Sequence, residues 1–542
     1  MNAWLHHLPV APVVTPLLAG ALGLFLIERP NTRAALGIIS VLLQLVTAAT
    51  LLYLTTDAMP SMWTEGVGVY AIGAWHAPFG IVLVVDRLSA VMLLVTSLIA
   101  LSALVYSLAH WDRVGPGFHS LFQFLLMGLN GAFLTGDLFN LYVFFEVLLA
   151  SSFGLLLHGS GPARVKSSMH YIAVNLSASL LFLIGVAMIY GMTGTLNMAQ
   201  LPALIALLPP SDRALFEAGA AILGVAFFIK AGIWPLNFWL PTAYAASSAP
   251  VAAIFSLLTK VGVYAVLRVG TLLASADAQT SFIDIGIFYA GMATIVYAII
   301  GMLATLQLGR LVAYSVISSA GLLFMALGLR IEALTAPLLL YLLSSVLTSG
   351  AFFLLNGMTD RTRLSSIAAT ADTAPLPDVA YLGFGIKETP DPHSPDDEVG
   401  VAIPAAMAFL GLAFVCCVLL ASGMPPLSGF VAKFAIIRAL ITASSDPLSW
   451  NAWALITAIF SVGLVSAIAL TRIGMRLFWT VTGRTIPRLR IIEAGPVAFL
   501  IILCVGLTVS GGPIMTYLDS AARSLHSPST YIRVVMPAQE KP

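Results

Sequence analysis

Three lysines and a glutamate stand in stretches of the chain that are otherwise almost wholly apolar. Glu146 lies in Leu141-Tyr-Val-Phe-Phe-Glu-Val-Leu-Leu149, and Lys230 in Ala226-Phe-Phe-Ile-Lys-Ala231. Lys260 lies in Leu257-Leu-Thr-Lys-Val-Gly-Val-Tyr264, and Lys433 in Gly429-Phe-Val-Ala-Lys-Phe434. A charge at the centre of a bilayer costs about 2.5–3.5 kcal/mol on insertion scales, so such residues mark ion pathways or fixed pairs. Desolvation pulls a buried ammonium towards its neutral form, and a nearby carboxylate holds the proton on. An amine beside a movable carboxylate can therefore take up and release a proton, which an arginine cannot readily do. On this reading Glu146 and Lys230 form a proton switch, Lys260 passes charge onward, and Lys433 stands near its exit. The alternative is a set of static ion pairs that fix helix register. Three lysines would then need three partners, and the apolar spans offer too few acids.

The elements that carry these residues must be membrane helices. Of 542 residues, 59% are hydrophobic and 9% charged, against about 25% charged in soluble domains; mean hydropathy is +0.98. Apolar runs recur at roughly 10–28, 35–55, 82–108, 118–136, 138–158, 168–190, 217–240, 249–273, 282–305, 311–329, 334–357, 403–443, 452–478 and 494–516. Runs near twenty residues cross a ~30 Å hydrocarbon core as helices, because lipid offers no partner for open backbone groups. The expected fold is an all-α integral membrane protein of about fourteen crossings. The N-terminus, Met1 to Pro9, lacks the basic stretch of a signal peptide, so the first span is expected to be retained.

Two spans are interrupted in the same way. The seventh reads Gly232-Ile-Trp-Pro235-Leu236 and the twelfth Gly423-Met-Pro425-Pro426-Leu427. Proline removes a helical hydrogen bond and clashes with the preceding turn, and paired broken helices in two halves of a chain mark the ion site of a repeat-built transporter. Simple proline kinks are the plainer alternative.

Positive charge orients the bundle. With the N-terminus outside, the inner loops and helix ends hold Arg29, Arg33, Arg113, Arg164, Lys166, Arg310, Arg361, Arg363, Lys387, Arg472, Arg476, Arg484, Arg488 and Arg490. These outnumber Arg213, Arg330, Arg523, Arg533 and Lys541 on the other side, so both termini are expected to face out. The stretch Thr359 to Val399, rich in Pro, Asp and Ser, reads as a cytoplasmic loop. The formal net charge of +1 argues against a nucleic-acid partner. Cys416, Cys417 and Cys504 lie inside apolar spans without metal or haem spacing, and no metal or cofactor is expected. Asp86-Arg87 opens the third span as a candidate interfacial pair, and Asp137 sits in a short loop. His170 is a possible relay or a helix-end cap. Tyr314 and Ser318, with Ser315 and Ser319, could carry water along the tenth span or bond their own backbone.

At this point the chain resembles a known family. Thr135-Gly-Asp-Leu-Phe-Asn-Leu-Tyr-Val-Phe-Phe-Glu146, Lys230-Ala-Gly-Ile-Trp-Pro-Leu-Asn-Phe-Trp-Leu-Pro241, Leu258-Thr-Lys-Val-Gly-Val-Tyr264 and Gly423-Met-Pro-Pro-Leu-Ser-Gly-Phe-Val-Ala-Lys433 are similar to the proton-translocating antiporter superfamily. That superfamily joins Mrp-type (Mnh or Pha) cation/proton antiporters to the membrane-arm subunits of respiratory complex I and related hydrogenases. Tyr190-Gly-Met-Thr-Gly-Thr-Leu-Asn-Met198 and the long loop before the twelfth span resemble the D-type subunits of the Mrp group.

The resemblance implies two inverted repeats with broken seventh and twelfth helices. N-terminal helices would occupy 1–117, a first half-channel 118–273, a second 282–478 with the cytoplasmic loop 358–400, and a final helix and tail 479–542. It implies a proton pathway at Glu146, Lys230, Lys260 and Lys433, and partners among a large A-type subunit and small membrane subunits. Relatives often carry a histidine in the eleventh span, where this chain reads Leu340-Tyr-Leu-Leu-Ser-Ser-Val-Leu-Thr-Ser349. Serines around Ser344, with water, would have to serve instead. The expected function is exchange of Na+ or K+ for H+ by a non-enzymatic subunit in a bacterial cytoplasmic membrane. The alternatives are a proton-pumping subunit of a redox-driven complex and, behind it, an assembly scaffold.

Overall fold

A computed structural model describes residues 3–26, 28–56, 63, 65–115, 117–275, 281–372, 405–443, 448–478 and 489–536. In chain order the helices are α1 (Ala3–His6), α2 (Ala11–Phe25), α3 (Pro30–Leu54), α4 (Arg87–Ser107), α5 (Phe118–Leu134), α6 (Leu138–Leu157) and α7 (Pro162–Thr193). There follow α8 (Leu201–Ile205), α9 (Pro210–Ala231), α10 (Leu240–Ala246), α11 (Ala249–Ala274), α12 (Ser281–Ala304) and α13 (Leu308–Leu327). The last are α14 (Glu332–Asp372), α15 (Ala405–Ser422), α16 (Ser428–Ala443), α17 (Trp450–Phe478), α18 (Ile491–Val509), α19 (Gly511–His526) and α20 (Ser529–Val535). Among the described residues, thirteen helices are long and apolar enough to cross a membrane, and α5 is a shorter apolar helix of 17 residues.

Local chemistry sets the helix ends. Asp86 caps α4: its carboxylate accepts the Ser89 N–H at 2.9 Å while Ser89 Oγ accepts the Asp86 N–H at 2.8 Å, a reciprocal capping box. Asp137 caps α6 by accepting from the N–H groups of Phe139 and Asn140 at 2.8 and 2.9 Å. Helices α11 and α14 run through the middle of the bundle and are its most buried long elements. By contrast α3, α7, α12 and α17 leave Ile39, Val46, Leu180, Ile300, Phe460 and Leu464 exposed, an apolar outer face suited to lipid. Glycine lets backbones touch inside. A Cβ at Gly291 of α12 would lie 2.4 Å from the Met325 backbone nitrogen of α13, too close for any side chain.

The structure corrects four boundaries. The run 82–108 is not one helix: Val82–Val85 is a β-strand (β2) paired antiparallel with β1 (Gly68–Ala71), and α4 begins only at Arg87. An apolar four-residue strand before an apolar helix leaves no break in hydropathy, which is why the two merge in sequence. The seventh span stops at Ala231 rather than 240. The last span ends at Val509, and amphipathic α19 follows a turn at Ser510. Helix α14 continues to Asp372, past the expected loop start at Thr359; the loop's remainder lies outside the described residues.

Helix α19 folds back on the bundle end. Tyr517 Oη meets Thr55 Oγ1 at 2.7 Å, and His526 Nε2 meets Thr335 Oγ1 at 2.8 Å. Partial desolvation against the bundle end holds the half-covered His526 below the ordinary histidine value of 6.5, with the Glu332 carboxylate opposing it. The folded state therefore takes up this proton less readily than the unfolded chain, so stability present above the unfolded value is lost as pH falls below it. A His526→Gln complex should show a shallower drop in melting temperature between pH 7 and pH 5. An unchanged drop would show that His526 is not responsible.

Candidate functional site: lysines at two helix breaks

The first break is built by Gly232. With φ at +72° it ends α9 in the left-handed conformation that glycine adopts without strain. The N–H of Ile233 then turns back to Phe228 O at 3.0 Å, and the Trp234 N–H is taken by Thr294 Oγ1 at 2.9 Å. Lys230 occupies the last turn of α9, its ammonium 5.7 Å from the centre of the Phe145 ring. Glu146 follows Phe145 on α6. Its Oε1 is buried without a hydrogen-bond partner, and among the described residues no salt bridge joins it to Lys230. Phe145, next to Glu146 in the chain, thus brings that carboxylate into the region of the Lys230 ammonium without a direct bond.

A cavity of about 30 Å³ lies in that region, lined by Phe145, Tyr171, Asn175, Lys230, Trp239, Leu258 and Val261. Such a volume suits about one water molecule. Asn237, in the break itself, is wholly buried with both amide atoms unpartnered, and the nearby Trp239 Nε1 is also unpartnered. Buried polar atoms of this kind call for water. Tyr171, Asn175 and Asn237 are additions to the sequence-based set. Asn237 had a signal, as the one amide inside the Leu236-Asn-Phe-Trp239 part of the break. Tyr171 and Asn175, one turn apart on α7, had none.

Lys260 is 1% exposed on α11 and donates to Ser319 Oγ of α13 at 2.5 Å. Ser319 in turn donates to Val316 O at 2.8 Å. Close packing brings α11 against α9: a Cβ at Gly262 would stand 2.6 Å from the Ala231 backbone nitrogen. Only a glycine there lets the helix bearing Lys260 pack backbone to backbone on the helix bearing Lys230.

The second break repeats the first. Gly423 has φ +75°, and the Met424 N–H turns back to Leu419 O at 3.0 Å, the same five-residue reach as at Gly232. Both breaks hold a cis X-Pro bond three residues after the glycine, at Pro235 and Pro426. Here Lys433 Nζ donates to the freed carbonyls of Ser422 at 2.8 Å and Ala421 at 3.3 Å, so the ammonium rests on the C-terminal end of α15. Ser428, opening α16, meets Ser344 of α14 at 2.8 Å, hydroxyl to hydroxyl.

The remaining candidates fall as follows. Ser318 donates to its own helix at Ser315 O, and Tyr314 packs its ring 5.9 Å from Tyr297 on α12. His170 lies exposed on α7. Asp86 pairs with Arg268 of α11 at 2.7 Å, both buried, so its ionic partner is on α11 and the pair ties α4 to that helix. Arg87 Nε donates instead to Thr55 O at 3.1 Å, at the end of α3.

The Gly423 geometry makes a prediction. An added methyl would lie 2.6 Å from Lys433 Cδ and 2.8 Å from Nζ, on a backbone that side chains rarely adopt. Gly423→Ala should cost about 1–3 kcal/mol through strain and push the ammonium off its carbonyls. The measurements are melting temperature and transport of the assembled complex; unchanged values in both would contradict the placement.

A multi-helix membrane subunit with single lysines at matched helix breaks is of the antiporter class, and a family model described as NADH:quinone oxidoreductase/Mrp antiporter, TM matches residues 135–382. The D-type subunit of a probable K+/H+ antiporter of Rhizobium meliloti is 49% identical over 99% of this chain and 99% of its own length. Its counterpart in an Na+/H+ antiporter of Alkalihalophilus pseudofirmus is 31% identical over 98% of this chain and its full length. The chain belongs to this family of antiporter D-type subunits. A chain in the structure of the Mrp complex from a Dietzia species shares the fold, with a TM-score of 0.80, 24% identity, and coverage of 98% of this chain and 100% of that one.

Proposed function

We propose that this chain is the proton-translocating D-type subunit of a multisubunit secondary antiporter that exchanges Na+ or K+ for H+ in a bacterial inner membrane, with both termini outside. The observation that carries the reading is the row of successively packed helices, α9, α11, α13, α14 and α16, on which the buried lysines and hydroxyls stand. Lys230 lines a water-sized cavity together with Phe145, the neighbour of Glu146; Lys260 reaches Ser319; and Ser344 meets Ser428 at the start of the helix that carries Lys433. Each step crosses from one packed helix to the next, which is what relay of a proton along the membrane plane requires. The first break would belong to a half-channel over 118–273 and the second to one over 282–478. The names of the relatives support coupling to a monovalent cation. The subunit is then a transporter rather than an enzyme, and works with the antiporter's other membrane subunits.

The test is made on inverted vesicles bearing the complete complex. Adding Na+ or K+ should move the internal pH without any electron donor. Proton movement that appears only with a donor would overturn the reading in favour of a redox-driven pump.

A further inference from the structure

The lysine pathway leaves a second set of buried polar groups unused, in the first helices of the chain. Arg33 and Asp112 stand at one end, beside His119 at the start of α5; all three are at least 94% buried. From there, a ladder of hydrogen bonds climbs between α3 and α5. Gln123 Nε2 donates to Gly37 O at 3.0 Å, Ser40 Oγ donates to Gln123 Oε1 at 3.0 Å, and Gln44 Nε2 donates to Ser40 Oγ at 3.2 Å. Asn130 Nδ2 closes it, donating to Gln44 Oε1 at 2.9 Å and to Pro12 O of α2 at 2.8 Å. His119 and Asn130 are about 16 Å apart along α5, at 1.5 Å per residue, half the thickness of a hydrocarbon core.

The ladder is not saturated. Both ring nitrogens of His119, Asp112 Oδ1, Arg33 Nε, Ser120 Oγ and Asn130 Oδ1 are buried without a hydrogen-bond partner. That many orphaned polar atoms along one seam require water. Glycines let the polar side chains of α5 lie directly on its neighbours: a Cβ at Gly37 of α3 would lie 3.1 Å from His119 Nδ1, and one at Gly23 of α2 would lie 2.6 Å from Ser120 Oγ. His119 presents Nε2 to Asp112 Oδ2 at 3.8 Å and packs Nδ1 against Gly37, next to Gln123 Nε2 at the foot of the ladder. The charged or titratable groups around it are Asp112, Arg33 and His158.

We propose that α2, α3 and α5 enclose a file of water that forms a second proton pathway, separate from the lysine row and entered at Asp112 and His119. His119 takes a proton on Nε2 from the Asp112 side and releases one from Nδ1 into the ladder, so ring charge is unchanged by each passage. The Arg33 guanidinium at the mouth disfavours a metal cation, and beyond Asp112 and His119 the lining groups are neutral amides, hydroxyls and carbonyls that hold water and leave a proton free to move. A dry network that merely fixes the register of the three helices is the competing account.

The test uses the whole complex in inverted vesicles, in a background with Cys416, Cys417 and Cys504 replaced by alanine. Exchange by that background is the control for the proposed antiport, so loss of that reading is seen separately. Ser40→Cys places a small thiol on the ladder. Thr96→Cys on α4, where the native hydroxyl bonds Met92 O of its own helix at 2.7 Å, is the dry control. Silver ion should react with Ser40→Cys far faster than with Thr96→Cys and should remove most of its cation-driven pH change. His119→Phe should slow that change on the order of a hundredfold, the scale of losing a positioned proton relay. Equal, slow reaction at both thiols overturns the water file. Fast reaction at Ser40→Cys with transport intact overturns the proton pathway.

Discussion

Replacing Lys230 by methionine should abolish cation-driven proton movement by the assembled complex, a loss on the order of a hundredfold or more. Methionine keeps the apolar stem beside Phe145 and removes only the ammonium, so the subunit should still assemble. The more telling variant is Lys230→Arg. Arginine keeps the positive charge facing Glu146 but does not deprotonate in proteins, and its planar guanidinium does not fit a cavity of about 30 Å³ as a compact ammonium does. If Lys230 were a static counter-charge for Glu146, the arginine variant would transport normally. If Lys230 must lose its proton in each cycle, the arginine variant should fail as completely as the methionine one. The absence of a direct salt bridge favours the second outcome. A tightly bonded pair would hold the proton, whereas a gap bridged by water lets the carboxylate's influence vary with small movements of α6. Glu146→Gln should accordingly slow transport less than Lys230→Met, because it removes the modulator and leaves the carrier. The assay is dye-reported pH change on addition of Na+ or K+, with subunit content of the purified complex as the assembly control.

Much of this site was legible in the sequence because its parts violate local rules. A lysine in an apolar run, or glycine and proline in the middle of a span, conflicts with the surrounding helix chemistry within a window of a few residues. Glu146, the three lysines and both breaks could be found in this way. What could not be found are relations between distant windows. Lys433 is held by carbonyls of Ala421 and Ser422, and backbone atoms carry no sequence signal. Lys260 rests on Ser319, which in sequence is one of several hydroxyls along the tenth span. The polar ladder between α3 and α5 is built from His119, Gln123, Ser40, Gln44 and Asn130, each unremarkable alone, and it emerges only when those two helices are laid side by side. The β-hairpin failed for a different reason, since Val82-Leu-Val-Val85 reads equally well as the first turn of a membrane helix.

The Asp86–Arg268 pair is the most distant of these relations, and its removal has the largest expected effect on stability. Arg268 Nη2 lies 2.7 Å from Asp86 Oδ1 and 3.5 Å from Tyr264 Oη, with the Tyr531 ring 5.2 Å from the guanidinium carbon. The pair ties α4 to α11, the central helix that carries Lys260, and brings α20 into the same cluster. Breaking a buried pair by removing one partner typically costs about 3–5 kcal/mol, chiefly because the other charge is left buried and alone. Arg268→Met should therefore strip much of the stability from the subunit. It strands a carboxylate that is 5% exposed. Asp86→Asn should do similar damage through the stranded guanidinium, although asparagine still caps α4 at Ser89. The double variant Asp86→Asn/Arg268→Met carries no orphaned charge and should be markedly more stable than either single one. Melting temperatures of the detergent-solubilised complex, wild type and the three variants, measure all four corners of the cycle. Additive losses would mean that the two residues stabilise the bundle independently. If instead the double variant regains stability and also transports, the pair is a tie between helices and not a step in the proton's route. Because a guanidinium does not release a proton under ordinary conditions, that is the outcome the chemistry of Arg268 requires.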